Sequence, residues 1–118
     1  MADYPLMPAS EIAEGTCRLV TVNGVEIGIF RTGGSLRAYR NRCPHDGGPV
    51  CAGTITGTLA QGPETGWQPR WERDGEILYC PWHGSDFDLC TGRALSRKPL
   101  RLKSYPVRVE NGTVTITV

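Results

Sequence analysis

Two short segments of this chain combine the residue types that bind transition metals. The 118-residue sequence contains only two histidines, and each closely follows a Cys-Pro pair, in Cys43-Pro44-His45 and in Cys80-Pro81-Trp82-His83. Thiolate sulfur and imidazole nitrogen are ligands for zinc and for iron–sulfur clusters. Because both histidines lie beside cysteines, the sequence predicts a metal or cluster site with two Cys and two His ligands.

Strand and turn patterns predict the elements that position these segments. Apolar, β-branched runs predict six strands: residues 17–22, 25–30, 35–40, 76–80, 102–110 and 113–118. Asn23-Gly24 and Asn111-Gly112 separate two pairs of these runs, and Asn-Gly is a strong signal for a two-residue hairpin. The predicted fold class is therefore all-β, with the Cys/His segments in two loops.

The remaining segments carry weaker signals. The Pro-rich residues 1–8 predict no regular element, and residues 10–15 predict one turn of helix capped by Ser10. Residues 54–59 and 67–72 are predicted to pair as short strands between the two Cys/His segments. Asp74-Gly75 predicts a turn that opens the next strand.

Composition narrows the class of protein further. Thirteen Lys and Arg against twelve Asp and Glu give a net charge of +1, so no overall field favours nucleic acid as a partner. The sequence shows no signal-peptide pattern and no apolar window of membrane-spanning length, and we predict a cytoplasmic protein with no membrane partner. A chain of 118 residues predicts one domain, residues 1–118.

Cys43-Pro44-His45 and Cys80-Pro81-Trp82-His83-Gly84 together resemble the paired motif of Rieske [2Fe–2S] proteins, and the flanking residues resemble the ferredoxin-like branch. The resemblance implies a Rieske-like fold of antiparallel sheets, a β-sandwich or barrel, with cluster-binding loops at residues 43–51 and 80–92. It implies one [2Fe–2S] cluster per chain. The implied ligands are Cys43 and Cys80 on one iron and His45 and His83 on the other. The residues implied around the ligands are Gly47, Gly48, Trp82, Gly84, Ser85 and Phe87.

The same resemblance implies an electron carrier that is not itself an enzyme. Its implied partners are redox proteins, a flavin-type reductase as donor and a terminal oxygenase as acceptor. With both histidines bound to the cluster, none is left for the mononuclear iron site that activates oxygen. Two alternatives remain: a tightly held small subunit of a nitrite reductase-like oxidoreductase, and a zinc-stabilised interaction module. Zinc sites usually place two Cys in one arm and two His in the other, so the mixed arms favour the cluster.

Departures from the family pattern predict a modest reduction potential. Replacing two Cys by two His on one iron raises the potential from about −400 mV to roughly −150 to +300 mV. The high-potential Rieske proteins, those of respiratory and photosynthetic complexes, have an extra cysteine in each loop and a disulfide between them. Gly48 and Trp82 stand at the corresponding positions here. Ser85 matches a hydroxyl donor of those proteins, whereas Phe87 replaces their tyrosine. We therefore expect a potential in the lower part of the Rieske range.

The spacer between the two Cys/His segments and the three cysteines outside those segments also carry predictions. An atypically long spacer at residues 52–76 predicts a hairpin that shields the cluster or shapes a partner surface, with a family-specific decoration without function as the alternative. Cys51 and Cys90 are predicted to be small buried apolar residues, with a disulfide between them or a role as spare ligands as the alternatives. Cys17 is predicted to lie in the core.

Overall fold

The computed structural model describes residues 2–45, 47–60, 62–82, 85–95 and 100–118. The strands in these ranges are β1 (Asp3–Pro8), β2 (Cys17–Val22), β3 (Val25–Thr32), β4 (Ser35–Arg40), β5 (Thr54–Ala60), β6 (Arg70–Tyr79), β7 (Asp86–Asp88), β8 (Ser104–Tyr105), β9 (Val107–Glu110) and β10 (Thr113–Thr117). Three short 3₁₀ turns span Ala9–Glu11, Val50–Ala52 and Pro63–Thr65. The all-β prediction is confirmed.

The strands form three antiparallel sheets, in the orders β1-β10-β9, β2-β3-β4-β8 and β5-β6-β7. The two Asn-Gly turns are where the sequence predicts them. Asn23 and Gly24 have φ values of 51° and 78°, and Asn111 and Gly112 have 51° and 79°. A type I′ turn requires positive φ at both central residues, which explains why these turns use Asn-Gly.

The β2-β3-β4-β8 sheet buries both of its faces. Ile27 and Ile29 of β3 are fully buried and pack in clusters with Ile116 and Val114 of β10. Phe30, one residue further along β3, belongs to another core cluster that reaches the β5-β6-β7 sheet. Successive side chains of a strand point to opposite faces, so one strand supports both cores.

Three sequence-based predictions at the ends of the chain are wrong. Residues 1–8 contain β1, which pairs with β10 at the edge of its sheet. Proline is tolerated there because an edge strand has backbone positions that need no N–H donor. Ser10 lies inside the 3₁₀ turn Ala9–Glu11 and does not cap it. Residues 102–110 do not form one strand, since β8 pairs with β4 and β9 pairs with β10.

The spacer forms the predicted hairpin, but its turn points away from the Cys/His segments. Thr54 pairs with Tyr79 at the end next to those segments, and Ala60 pairs with Arg70 at the other end. Seven extended residues in β5 separate the two ends by about 20 Å. This register does not support shielding of the cluster by the hairpin turn, and the partner-surface interpretation stays a prediction.

No helix in the described ranges has the length and apolar character that a membrane span requires.

Candidate metal centre

The two Cys/His segments form loops that close in the same way. The Cys43 N–H donates to the Gly48 carbonyl at 2.8 Å, and the Cys80 N–H donates to the Ser85 carbonyl at 2.8 Å. We call residues 43–48 the first loop and residues 80–85 the second loop. In the first loop, the Gly47 N–H also returns to the Cys43 carbonyl at 2.8 Å, with a left-handed φ of 81° at Gly47. Each loop therefore begins at a cysteine whose backbone holds the far end of the loop.

The loops place their two cysteines inside the protein and a histidine outside. Cys43 and Cys80 are thiols with only 1% and 2% of their surface exposed, and both belong to the core cluster that includes Phe30. The His45 residue is exposed. The site therefore has an apolar interior lined by sulfur and an outer edge that carries imidazole.

One side-chain contact joins the loops directly. The Ser85 hydroxyl oxygen lies 3.4 Å from Nδ1 of His45, across 40 residues of sequence. Ser85 is buried, although it belongs to a loop that reaches the surface at Pro81 and Trp82. The contact brings the predicted hydroxyl donor of the second loop next to the predicted histidine ligand of the first.

The other predicted site residues divide between core and surface. Phe87 is fully buried in β7, where it pairs with Leu78 of β6. Trp82 is 59% exposed. His83 and Gly84 lie outside the described residues, so their predicted roles stay predictions.

A disulfide between Cys17 and Cys51 ties the segment after the first loop to the central sheet. Two predictions are therefore wrong: Cys51 is bonded to Cys17 rather than to Cys90 or to nothing, and Cys90 is an exposed thiol. Cys17 is partly buried and packs against the core cluster that includes Phe30, in agreement with its predicted core position. The two bonded cysteines are 34 residues apart and their Cα atoms are 5.5 Å apart. No local sequence signal reveals this pairing, because it depends on the approach of β2 to the 3₁₀ turn Val50–Ala52.

The second loop is held by an irregularity in β6 instead. Thr56 of β5 pairs with Ile77 but Thr58 pairs with Glu72, so residues 73–76 of β6 bulge out opposite one residue of β5. Arg73 and Gly75 adopt left-handed φ values of 57° and 83° within the bulge. The Asp74-Gly75 signal was thus a correct turn signal, but the turn interrupts a strand rather than starting one.

Ion pairs and backbone bonds fix this bulge against the chain that follows the second loop. The Arg73 guanidinium contacts the carboxylates of Asp88 at 2.8 Å and Glu76 at 3.2 Å. Burial alone would raise the pKa of Asp88, but hydrogen bonds from Arg73 and from the Cys90 N–H hold that pKa below its ordinary value. The Leu89 N–H also donates to the Glu76 carbonyl at 2.8 Å.

A buried tyrosine links the strand that enters the first loop to the chain that leaves the second. The Tyr39 hydroxyl of β4 donates to the Leu89 carbonyl at 2.6 Å. Burial raises the pKa of Tyr39 to about 12, so the hydroxyl keeps its proton at neutral pH. Both loops are therefore carried by one hydrogen-bonded core.

The donor set fits a dinuclear cluster. A [2Fe–2S] core takes two protein ligands on each iron, four in all. The two buried thiols on separate loops and the exposed imidazole of His45 supply three donors of the right chemistry. The fourth predicted ligand, His83, lies outside the described residues.

Comparisons with known proteins identify the family. The family model for the Rieske [2Fe-2S] domain matches residues 2–106, and the chain belongs to that family. Its cofactor is a [2Fe–2S] cluster, as predicted, and it is an electron carrier rather than a catalytic enzyme.

The relatives are mostly ferredoxins of oxygenase systems. The ferredoxin component of the naphthalene 1,2-dioxygenase system of Pseudomonas putida is 32% identical over 108 residues, covering 91% of this chain and 86% of that protein. The ferredoxin subunit of the 3-phenylpropionate/cinnamic acid dioxygenase of Shigella flexneri is 28% identical, covering 92% and 87%.

Solved structures confirm the Rieske-like fold. A chain in the complex of reduced oxygenase and oxidised ferredoxin of carbazole 1,9a-dioxygenase matches with a TM-score of 0.73 and 25% identity, covering 98% of this chain and 92% of that one. A putative nitrite reductase small subunit has the same TM-score at 16% identity, with both chains fully covered, which shows a shared fold.

Proposed function

We propose that this chain is the ferredoxin component of a multi-component oxygenase system. It accepts single electrons from a flavin-type reductase and passes them to a terminal oxygenase. The relatives that are ferredoxin components of dioxygenase systems support this proposal, since this chain covers most of the length of each of them. Within the proposal, residues 1–118 are one cytoplasmic domain, with cluster-binding loops at 43–51 and 80–92 and a long spacer at 52–76.

Cys43 and Cys80 bind one iron in this proposal, and His45 and His83 bind the other. The supporting observation is the matched closure of the two loops, which leaves both thiols buried and His45 exposed. The bound cluster supplies one-electron chemistry at a potential that histidine ligands raise above that of all-cysteine clusters. The buried thiols keep water from one side, and the exposed imidazole forms the route for electrons to a partner.

The surface around His45 suits a transient partner. Pro44 of the first loop and Pro81 and Trp82 of the second are exposed, as His45 is, so both loops present apolar side chains to solvent. An exposed tryptophan at the centre of an interface frequently contributes much of the binding energy. Trp82 therefore positions the partner in this proposal, while the imidazole carries the electron.

Metal content and spectra test the cofactor assignment to these ligands. Protein purified without added metal is expected to contain about two iron and two sulfide per chain and to absorb visible light. Cys43→Ser and Cys80→Ser are expected to abolish the absorption, whereas Cys90→Ser, which changes an exposed thiol, keeps it. Stoichiometric zinc and no colour would overturn the assignment.

Two exposed tryptophans give a matched test of the electron route. The chain is reduced, freed of reductant and mixed with the oxidised oxygenase of a naphthalene 1,2-dioxygenase system, and the loss of the reduced spectrum is timed. Trp82→Ala is expected to slow the transfer about fivefold, the equivalent of about 1 kcal/mol of interface energy. Trp67→Ala, which changes a 65% exposed side chain on the distant hairpin, is the control and keeps the wild-type rate. Equal rates in both variants contradict the role of Trp82.

A second candidate function is a permanently held small subunit of a nitrite reductase-like complex. One observation favours it: Leu59, Trp67 and Trp71 on the β5–β6 hairpin are more than half exposed, far from the loops. Leu59 and Trp71 are paired in register, and large exposed apolar side chains that lie together are typical of protein interfaces. Size-exclusion chromatography with light scattering distinguishes the two, because a ferredoxin stays monomeric and soluble alone whereas a separated subunit aggregates.

A further inference from the structure

The Cys17–Cys51 disulfide joins β2 to the chain segment that leaves the first loop. We propose that this crosslink is a redox-responsive clamp on the first loop. When closed, it fixes the end of the loop against the central sheet. When a dithiol opens it, the loop moves more freely and the cluster is lost faster. The inference rests on the proposed function, because it takes Cys43 as a cluster ligand.

The clamp acts on a rigid point close to the cluster. Cys51 is the middle residue of the 3₁₀ turn Val50–Ala52, which begins two residues after the first loop. Val50 is fully buried, and the Ala52 N–H donates to the Pro49 carbonyl at 3.0 Å. Because the turn is rigid, holding the Cys51 sulfur also holds the end of the loop that begins at Cys43.

A second attachment keeps the turn in place when the crosslink opens. The Cys51 N–H donates to Oδ1 of Asn41 at 2.7 Å, and the Asn41 amide donates to the Glu26 carboxylate at 3.2 Å. The Asn41 N–H also donates to the Glu26 carbonyl at 2.8 Å. Reduction therefore removes the covalent attachment to the central sheet and leaves these hydrogen bonds and the burial of Val50 in place. The expected result is a looser loop in a folded protein.

Gly28 of β3 provides the space for the crosslink. A Cβ atom at Gly28 would lie 2.7 Å from Sγ of Cys17, closer than real Cβ atoms come to another heavy atom, and 3.3 Å from Cβ of Cys51, a tight contact. The φ of Gly28 is not left-handed, so alanine fits the backbone and only the space is lost. A glycine in the middle of a strand often marks such a close approach.

The crosslink is accessible to a reductant. Cys17 and Cys51 are both partly exposed rather than buried, so a small thiolate can reach a sulfur. A dithiol supplies two electrons and two protons: its thiolate attacks one sulfur, the S–S bond breaks, Cys17 and Cys51 become thiols, and the dithiol becomes a disulfide. Oxidation by a disulfide of the same class reverses the step.

Alkylation of the holoprotein tests whether the crosslink exists. The air-exposed wild type is denatured without reductant, alkylated and weighed by mass spectrometry. Three of the five cysteines, Cys43, Cys80 and Cys90, are expected to react in the wild type, and all five in Gly28→Ala. Five reactive cysteines in the air-exposed wild type overturn the proposal.

The rate of cluster loss tests whether the crosslink acts as a clamp. Holoprotein is incubated with an iron chelator, and the decay of visible absorption is followed with and without dithiothreitol. Dithiothreitol is expected to speed the loss in the wild type about tenfold, the lower end of what supporting groups contribute to metal affinity. The Cys17→Ser/Cys51→Ser variant is expected to lose the cluster at the fast rate in both conditions. Cys90→Ser, the matched control, behaves like the wild type.

Two results separate failure of the clamp from failure of the proposed function. A dithiothreitol effect below about twofold in a wild type that shows the crosslink overturns the clamp alone. Purified protein without iron and sulfide overturns the proposed function and the clamp together, while the alkylation pattern still shows whether Cys17 and Cys51 are bonded.

Discussion

The two loops share one backbone closure but are attached to the fold by different chemistry. In each loop a cysteine N–H donates to the carbonyl five residues later, at 2.8 Å. The first loop is followed by a covalent attachment, the disulfide of Cys51 to Cys17. The second loop is attached by ion pairs: Arg73, before the loop, contacts Asp88, after it, and also contacts its near neighbour Glu76.

Loops with the same local geometry can therefore depend on different solution conditions. A disulfide responds to the redox state of its surroundings and is indifferent to moderate changes of pH. A carboxylate with a depressed pKa responds to acid and is indifferent to thiols. One loop is thus sensitive to reductants and the other to acid, although both hold the same proposed cluster.

Substitution of the cysteine in each loop is expected to have the strongest effect, and it tests whether both loops supply a cluster ligand. In the proposed assignment, Cys43→Ser and Cys80→Ser are each expected to remove nearly all iron and visible absorption, because each removes one of the two thiolates that bind the same iron. Iron analysis and absorption spectra measure the loss. A variant that keeps wild-type iron content shows that its loop does not carry a ligand.

Substitution of Cys51 removes the disulfide attachment of the first loop alone and is expected to have the next largest effect. Cys51→Ser is expected to lower the free energy of unfolding by about 4 kcal/mol, the entropy term for a crosslink over a loop of this size. The crosslinked residues are 34 apart in sequence. Urea denaturation without reductant measures the change. With dithiothreitol present, wild type and variant are expected to unfold alike, and a persisting difference contradicts the mechanism.

Substitution of Ser85 tests the contact between the two loops and is expected to change the reduction potential. Ser85→Ala removes the buried hydroxyl that lies 3.4 Å from Nδ1 of His45. Because His45 is a cluster ligand in the proposed site, loss of this polar contact is expected to lower the reduction potential by roughly 60 mV, about 1.4 kcal/mol for one electron. Protein-film voltammetry measures the potential. Ser85→Thr keeps the hydroxyl and is expected to restore most of the shift, which a purely steric role would not allow.

Substitution of Asp88 removes the ion-pair attachment of the second loop and is expected to have a smaller effect still. The folded-state pKa of Asp88 is below its unfolded value near 3.9, so this contribution to stability is present above about pH 4 and is lost as the pH falls through the folded pKa. Asp88→Asn is expected to cost about 1 kcal/mol at pH 7 and to remove that acid dependence. Urea denaturation at pH 7 and pH 3 measures both.

A surface ion pair provides the control for that prediction. Arg18 and Glu11 are 3.7 Å apart, and about half of each side chain is exposed. Glu11→Gln is expected to change the free energy of unfolding by less than about 0.5 kcal/mol, because solvent screens such pairs. Equal effects of Glu11→Gln and Asp88→Asn would contradict the special role of the Arg73 cluster.

Local sequence was sufficient for the hairpins. Asn23-Gly24 and Asn111-Gly112 specify their turns because few other residue pairs adopt positive φ twice in succession. The same approach missed β1, since proline normally argues against a strand and its edge position is known only from the sheet order. It also extended one strand through Pro106, where the chain changes partner from β4 to β10.

The sequence alone predicts the cofactor and the all-β class correctly and supplies the ligand prediction, because motif chemistry and turn residues are local properties. How the loops are attached emerges only from the tertiary structure. The Cys17–Cys51 bond and the Arg73–Asp88 pair join residues 34 and 15 positions apart. Such pairs form where strands distant in sequence approach each other, and a pattern within one segment does not encode that approach.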